Sequence, residues 1–178
     1  MCGIVGMFSP SGRDVREATL RAMTATIVHR GPDDEGMLVD GPVGLGMRRL
    51  SIIGVADGAQ PLFNEDRTVA IVMNGEIYNY RDLKRDLAGH GHVFRTASDV
   101  EVSAHLYEER GADFVTDLRG MFAFALYDSR ARRLVLGRDR AGKKPLYYAV
   151  RGDTLVFASE IKALHATGIV AKEIEPSS

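Results

Sequence analysis

Hydrophobic and polar positions along this chain follow two periods, and the period changes mark its elements. CGIVGMF, at residues 2–8, is a short apolar run broken by Gly3 and Gly6. That pattern suits a buried strand whose backbone is closely approached. Over residues 14–29, Val15, Leu20, Met23, Ile27 and Val28 fall near one helical face. Asp14 is placed to cap that helix, and Gly31-Pro32 to stop it. MLVDGPVGLGMRRLSII (37–53) and TVAIVMNGEIYN (68–79) are strand-rich. Asn79 is expected to cap a second helix over YRDLKRDLAGHG, residues 80–91. Ser98 with Glu101 matches a capping box opening a third, SDVEVSAHLYEERG. FAFALYD, RRLVLGRD, PLYYAV and TLVFAS then form four strands, paired across SRAR and RGD turns, and SEIKALHATG closes as a helix beginning at Ser159. Many strands on tight turns, with helices grouped between them, predict an α+β fold of antiparallel sheets.

Composition narrows the partners. At 178 residues, 45% hydrophobic and 26% charged, the chain is expected to form one domain with a real core. Its 23 basic and 24 acidic residues give a net charge of −1, so neither a nucleic-acid footprint nor a membrane-binding patch is expected. The single cysteine, Cys2, excludes an internal disulfide and any cysteine cluster for zinc or iron–sulfur. No basic leader precedes a long apolar stretch, and no apolar run approaches about 18 residues. A cytoplasmic location is therefore expected.

Three motifs suggest chemistry that their surroundings do not support. GRDRAGKK, residues 137–144, has the skeleton of a phosphate loop, but Lys144 stands where a hydroxyl should bind magnesium, and Pro145 begins a strand. GLGMRR lacks the third glycine of a dinucleotide fingerprint. Ser159–Lys162 spells SxxK without the companion segments of serine acylases, and helix capping accounts for that serine. His29, His90, His92, His105 and His165 show no metal-binding spacing, most lying beside glycine or on expected helix surfaces, so no metal site is expected. His29 paired with Cys2 as a thiol–imidazole couple is weighed against an ordinary structural imidazole, which is the commoner outcome.

Cys2 carries the strongest chemical signal. Methionine is normally removed before a residue as small as cysteine, leaving thiol and α-amine on one residue. An α-amine titrates at about 7.7–8.0, so it can accept a proton near neutrality without burial. A thiol near 8.5 is slightly ionised but strongly nucleophilic, and a base a few bonds away completes its activation. The alternative is a small apolar side chain that merely starts a strand.

Nine segments in order (MCGIVGMF, HRGPDDEG, RRLSI, GAQPLFN, MNGEIYNY, SDVE, GMFAFALYD, GRDRAGKKPLYY and FASEIKAL) closely resemble the glutaminase domain of class II glutamine amidotransferases, specifically that of glutamine-hydrolysing asparagine synthetases. The resemblance runs from Cys2 to about residue 167. It implies an N-terminal-nucleophile hydrolase fold: a four-layer αββα sandwich of two antiparallel sheets. It implies hydrolysis of L-glutamine to glutamate and ammonia through a cysteinyl thioester on Cys2. By the same resemblance Asn74 and Gly75 form the oxyanion hole, Arg49 clamps the substrate carboxylate, Asp99 and Glu76 receive its ammonium, and Leu50, Ser51, Ile52 and Ile53 add main-chain contacts. A bidentate guanidinium suits a carboxylate, and strand alternation lets only one of Arg48 and Arg49 face inward. Two local readings stay open beside these roles: Asn-Gly as a type I′ hairpin turn, with turn and site one feature, and Asp99 as a first-turn carboxylate favoured by the helix dipole.

Residues 1–178 are thus expected to be a glutaminase domain whose synthetase partner is a further domain or a separate subunit, with a homodimer as a further possibility. The chain has no pyrophosphate-binding SGGLDS-type loop, so ATP and magnesium are expected only in that partner, and none as cofactor here. Aspartate is the expected acceptor of the ammonia. Another acceptor, or a non-catalytic docking module, is the alternative.

Overall fold

A computed structural model describes residues 2–11, 15–50 and 58–173. The amino-terminal apolar run forms β1 (Gly3–Phe8), followed by α1 (Glu17–Ala25) and a short 3-10 turn at Val28–Arg30. Next come β2 (Asp34–Asp40), β3 (Val43–Arg49), β4 (Leu62–Phe63) and β5 (Val69–Ile77). Two helices, α2 (Tyr80–Gly89) and α3 (Glu101–Arg110), separate these from β6 (Gly120–Asp128), β7 (Arg133–Arg138), β8 (Tyr147–Arg151) and β9 (Thr154–Ala158). A short α4 (Ile161–His165) follows.

The strands make two sheets, ordered β2-β3-β1-β9-β8 and β4-β5-β6-β7, antiparallel throughout. Alternation along the strands sorts their side chains into three apolar layers. Ile4, Leu45 and Phe157 of the first sheet meet Val72, Ala125 and Tyr127 of the second in the central layer. Val5, Met7 and Val156, on the opposite face of the first sheet, pack on Leu20 and Met23 of α1 and Leu164 of α4. Ile71, Met73 and Phe124, on the outer face of the second sheet, pack on Leu87 of α2 and Val102 and Leu106 of α3. The four-layer αββα order follows from these faces.

Several local expectations are corrected. Residues 12–14, including the expected cap Asp14, lie outside the described residues. Here α1 begins at Glu17 and stops at Ala25, where the Thr26 hydroxyl bonds the Met23 carbonyl, and Val28 faces solvent. Gly31 has φ −148°, no left-handed cap; a Cβ there would lie 2.3 Å from the Arg48 carbonyl carbon and the Arg49 nitrogen, so glycine is required for close packing on β3. Asn74-Gly75 is not a hairpin turn. Both residues lie within β5, opposite Ala123 and Phe122 of β6. Asn79 stands at the start of α2, but its amide bonds the Asp117 carbonyl and the Arg119 N–H instead of capping. Ser98 and Glu101 do not form the reciprocal box: the Glu101 carboxylate accepts from the Arg95 and Thr96 N–H groups and the Thr96 hydroxyl. Ser159 caps nothing; its hydroxyl accepts from Ile4 N–H at 2.9 Å and its N–H donates to the Ile4 carbonyl at 2.8 Å, which extends the β1–β9 ladder.

Candidate active site

Cys2 precedes β1, the central strand of its sheet, and is half-buried. Its Sγ lies 3.4 Å from the Leu50 N–H and 3.5 Å from the Leu50 carbonyl. Arg30 Nε donates to the Cys2 carbonyl at 3.0 Å, and Arg30 is held in turn by Glu160 at 2.9 Å. Glu160 also receives His29 at 2.8 Å and Lys162 at 3.1 Å. Burial opposes ionisation of that carboxyl, but the Arg30, His29 and Lys162 bonds outweigh it and hold its pKa at about 2. His29 therefore serves the Glu160 network and is not the partner of the thiol, as an ordinary structural imidazole would behave.

A pocket of about 380 Å3, open mouth included, joins Cys2 to Arg49, Leu50, Gly75, Glu76 and Asp99. Arg49 is 6% exposed, whereas Arg48 points the other way and pairs with Glu35, as strand alternation requires. Asp99 is 4% exposed and lies two residues ahead of α3; its Oδ2 accepts from the Ile77 N–H at 2.8 Å. Burial pushes its pKa above the ordinary carboxylate value and Glu76 adds to the rise, while the Ile77 bond and Arg49 pull it back. Ser51, Ile52 and Ile53 lie outside the described residues.

The register of β5 aims its backbone. Alternate residues of an antiparallel strand direct their N–H and C=O groups to opposite edges. Phe122, opposite Gly75, spends both backbone groups on Asp139, so the Gly75 N–H faces away from β6. On that outer edge the Met73 N–H and C=O bond the Gln60 amide, and the Ile77 N–H bonds Asp99. Gly75 lies between them, and Gln60 and Asp99 both line the pocket. The Asn74 side chain takes the other face of the strand, with Val72, toward the central layer where Cys2 also packs. Asn74 is 1% exposed, and its Nδ2 has no hydrogen-bond partner among the described residues.

The profile of the family described as "Glutamine amidotransferase domain" matches residues 1–178. The chain belongs to the glutamine amidotransferase domain family. A glutamine-hydrolysing asparagine synthetase of Bacillus subtilis (strain 168) is 47% identical over 167 residues, covering 92% of this chain and 22% of the relative. One from Sandersonia aurantiaca is 43% identical over 167 residues, covering 93% and 31%. The amidotransferase domain thus spans less than a third of either relative. Among solved structures, a glutamine phosphoribosylpyrophosphate amidotransferase from B. subtilis superposes with a TM-score of 0.74 at 24% identity, covering 98% of this chain and 46% of that one. This second likeness bears on the fold alone.

Sequence reasoning gave no role to Arg30 and Glu160, which lie within two of the quoted segments, HRGPDDEG and FASEIKAL; Arg30 reaches Cys2 from 28 positions downstream, and Glu160 reaches Arg30 from 130 positions further on. It also missed Gln60, which clamps β5 as a strand neighbour would. The GRDRAGKK loop is no phosphate cradle: its Lys143 and Lys144 N–H groups bond the carboxylate of Asp139. No helix among the described residues is long and apolar enough to cross a membrane.

Proposed function

We propose that this amidotransferase domain hydrolyses the side-chain amide of L-glutamine to L-glutamate and ammonia, with the ammonia passing to an asparagine-synthetase-type amidation of aspartate in a further domain or subunit. ATP and magnesium belong to that partner. The observation that carries the reading is one pocket holding a thiol beside a buried cation and a buried anion, a complement to both charged ends of an amino acid. Arg49 receives the α-carboxylate, Asp99 and Glu76 the α-ammonium, and Leu50 frames the carboxamide beside the sulfur.

Cys2 Sγ, its proton taken by its own α-amine once Met1 is removed, attacks the carboxamide carbon. The π electrons move to oxygen, and the oxyanion meets the Asn74 Nδ2 donor and the Gly75 N–H. Collapse breaks the C–N bond as the ammonium returns its proton to the leaving nitrogen, giving ammonia and a γ-glutamyl thioester. Water adds to the thioester, its proton passing to the amine, and expulsion of the thiolate frees glutamate. Arg30 is a positioning residue that holds the Cys2 carbonyl.

Glutamate release from glutamine should require Cys2, and an electrophilic glutamine analogue should add one equivalent to a chain that intact mass shows to lack Met1. Wild-type turnover indistinguishable from that of Cys2→Ala overturns the proposal.

A further inference from the structure

Histidine spacing gives no reason to expect a metal, and most of the histidines are expected beside glycine or on helix surfaces. The fold does otherwise. His105 of α3 is 0% exposed, and among the described residues neither of its ring nitrogens has a hydrogen-bond partner. Its Nδ1 lies 3.3 Å from Glu65 Oε2 and 3.6 Å from Glu108 Oε2, close but poorly directed for hydrogen bonds. His92 Nδ1 faces the same two carboxylates, 3.1 Å from Glu65 Oε1 and 3.8 Å from Glu108 Oε2. We propose that Glu65, His92, His105 and Glu108 form a Zn2+ site.

Size and chemistry both fit. Ligand atoms of the four residues lie within 4.8 Å of one another. Zn–N and Zn–O bonds of about 2.0–2.2 Å in a tetrahedron set ligand atoms about 3.3–3.6 Å apart; the nitrogen-to-carboxylate separations, counting both Glu65 oxygens, run from 3.1 to 3.8 Å. Two imidazoles and two carboxylates suit zinc, with net charge near zero once both histidines are neutral. The two rings lie with their centroids 4.9 Å apart.

The surroundings orient the ligands as an outer shell does. His105 Nε2 faces the Glu101 carboxylate at 3.8 Å, and His92 Nε2 faces Glu109 at 3.5 Å. Glu108 Oε1 accepts from the Asn64 amide at 2.9 Å, and Glu65 Oε1 from the Val93 N–H at 2.8 Å. The ion would tie three segments that the sequence separates: the turn between β4 and β5, the chain after α2, and α3, which begins just after Asp99.

The test uses tag-free, chelator-treated Cys2→Ala protein, so that the thiol of Cys2 adds no metal binding. One equivalent of Zn2+ should bind, and a hundredfold excess over Kd should raise Tm by about 5–10 °C. Co2+ in place of Zn2+ should give tetrahedral d–d bands. The double variant Glu65→Gln/Glu108→Gln should lose the Tm rise, and the single variant His92→Asn, at a partly exposed position, should bind Zn2+ at least tenfold more weakly. Absence of a Tm rise in the parent, or wild-type affinity in His92→Asn, overturns the assignment. Because Cys2 is already replaced, neither result bears on glutamine hydrolysis.

Discussion

Asn74 and Asp99 are costly residues to bury, and each cost points to a use. The Asn74 Nδ2 is buried with no partner among the described residues, a state that removes about 1–3 kcal/mol from stability. Asn74→Ala should therefore lower kcat for glutamine by about 10²–10³ with KM little changed, while Tm holds or rises; steady-state kinetics beside thermal melts separate these effects. Asp99 carries a raised pKa because it is buried near Glu76. Ammonium binding needs the ionised form, so glutamine affinity should fall on acidification at a pH above that of an ordinary aspartate, near 3.9. A KM–pH profile measures this, and Asp99→Asn should raise KM and flatten the profile. In stability the sign is opposite: the folded state holds its Asp99 proton more tightly than the unfolded chain, so the penalty is present above the folded pKa and fades as pH falls through it.

Among the elements, β5 is the most constrained. A Cβ on Gly75 would lie 2.3 Å from the Met121 carbonyl oxygen and 2.6 Å from the Phe122 Cα, both backbone atoms of β6. Gly75→Ala must part the two strands and should cost about 1–3 kcal/mol, read as a fall in Tm and as lost turnover. The Glu160 network is a second element-level device, joining the 3-10 turn after α1 to the start of α4. Its folded pKa of about 2 lies below the ordinary 4.5, so its contribution is present above pH 4.5 and is lost as pH falls toward 2. Glu160→Gln should reduce the Tm loss between those pH values and lower kcat by freeing Arg30. Local pattern showed these strands because alternation and glycine turns are short-range signals. It misassigned Ser159 and Asn79 as caps, and left Asn74-Gly75 open to a hairpin turn, because a hydroxyl, an amide or an Asn-Gly pair looks the same whether it caps, turns or bonds a distant strand. The burial of His105 was hidden for a related reason: α3 is buried from Glu101 to Tyr107, so no polar face marks which of those residues look outward.

At the scale of the molecule, the central layer makes the two sheets one unit. Phe157 is 0% exposed there, with side chains of both sheets around it. Phe157→Ala should cost about 3–5 kcal/mol. Far-ultraviolet and tyrosine near-ultraviolet circular dichroism should shift together in a single transition, because neither sheet retains a core without the other.

The strand that follows Cys2 waits for β9, the last strand among the described residues. Ile4 is gripped on one side by Ser159, 155 positions later, and at ordinary synthesis rates that stretch takes roughly 8–30 s to emerge from the ribosome. Until then β1 lacks its second neighbour in the sheet. A clasp formed this late means that the first sheet closes around its central strand only when nearly all of the described polypeptide has been made.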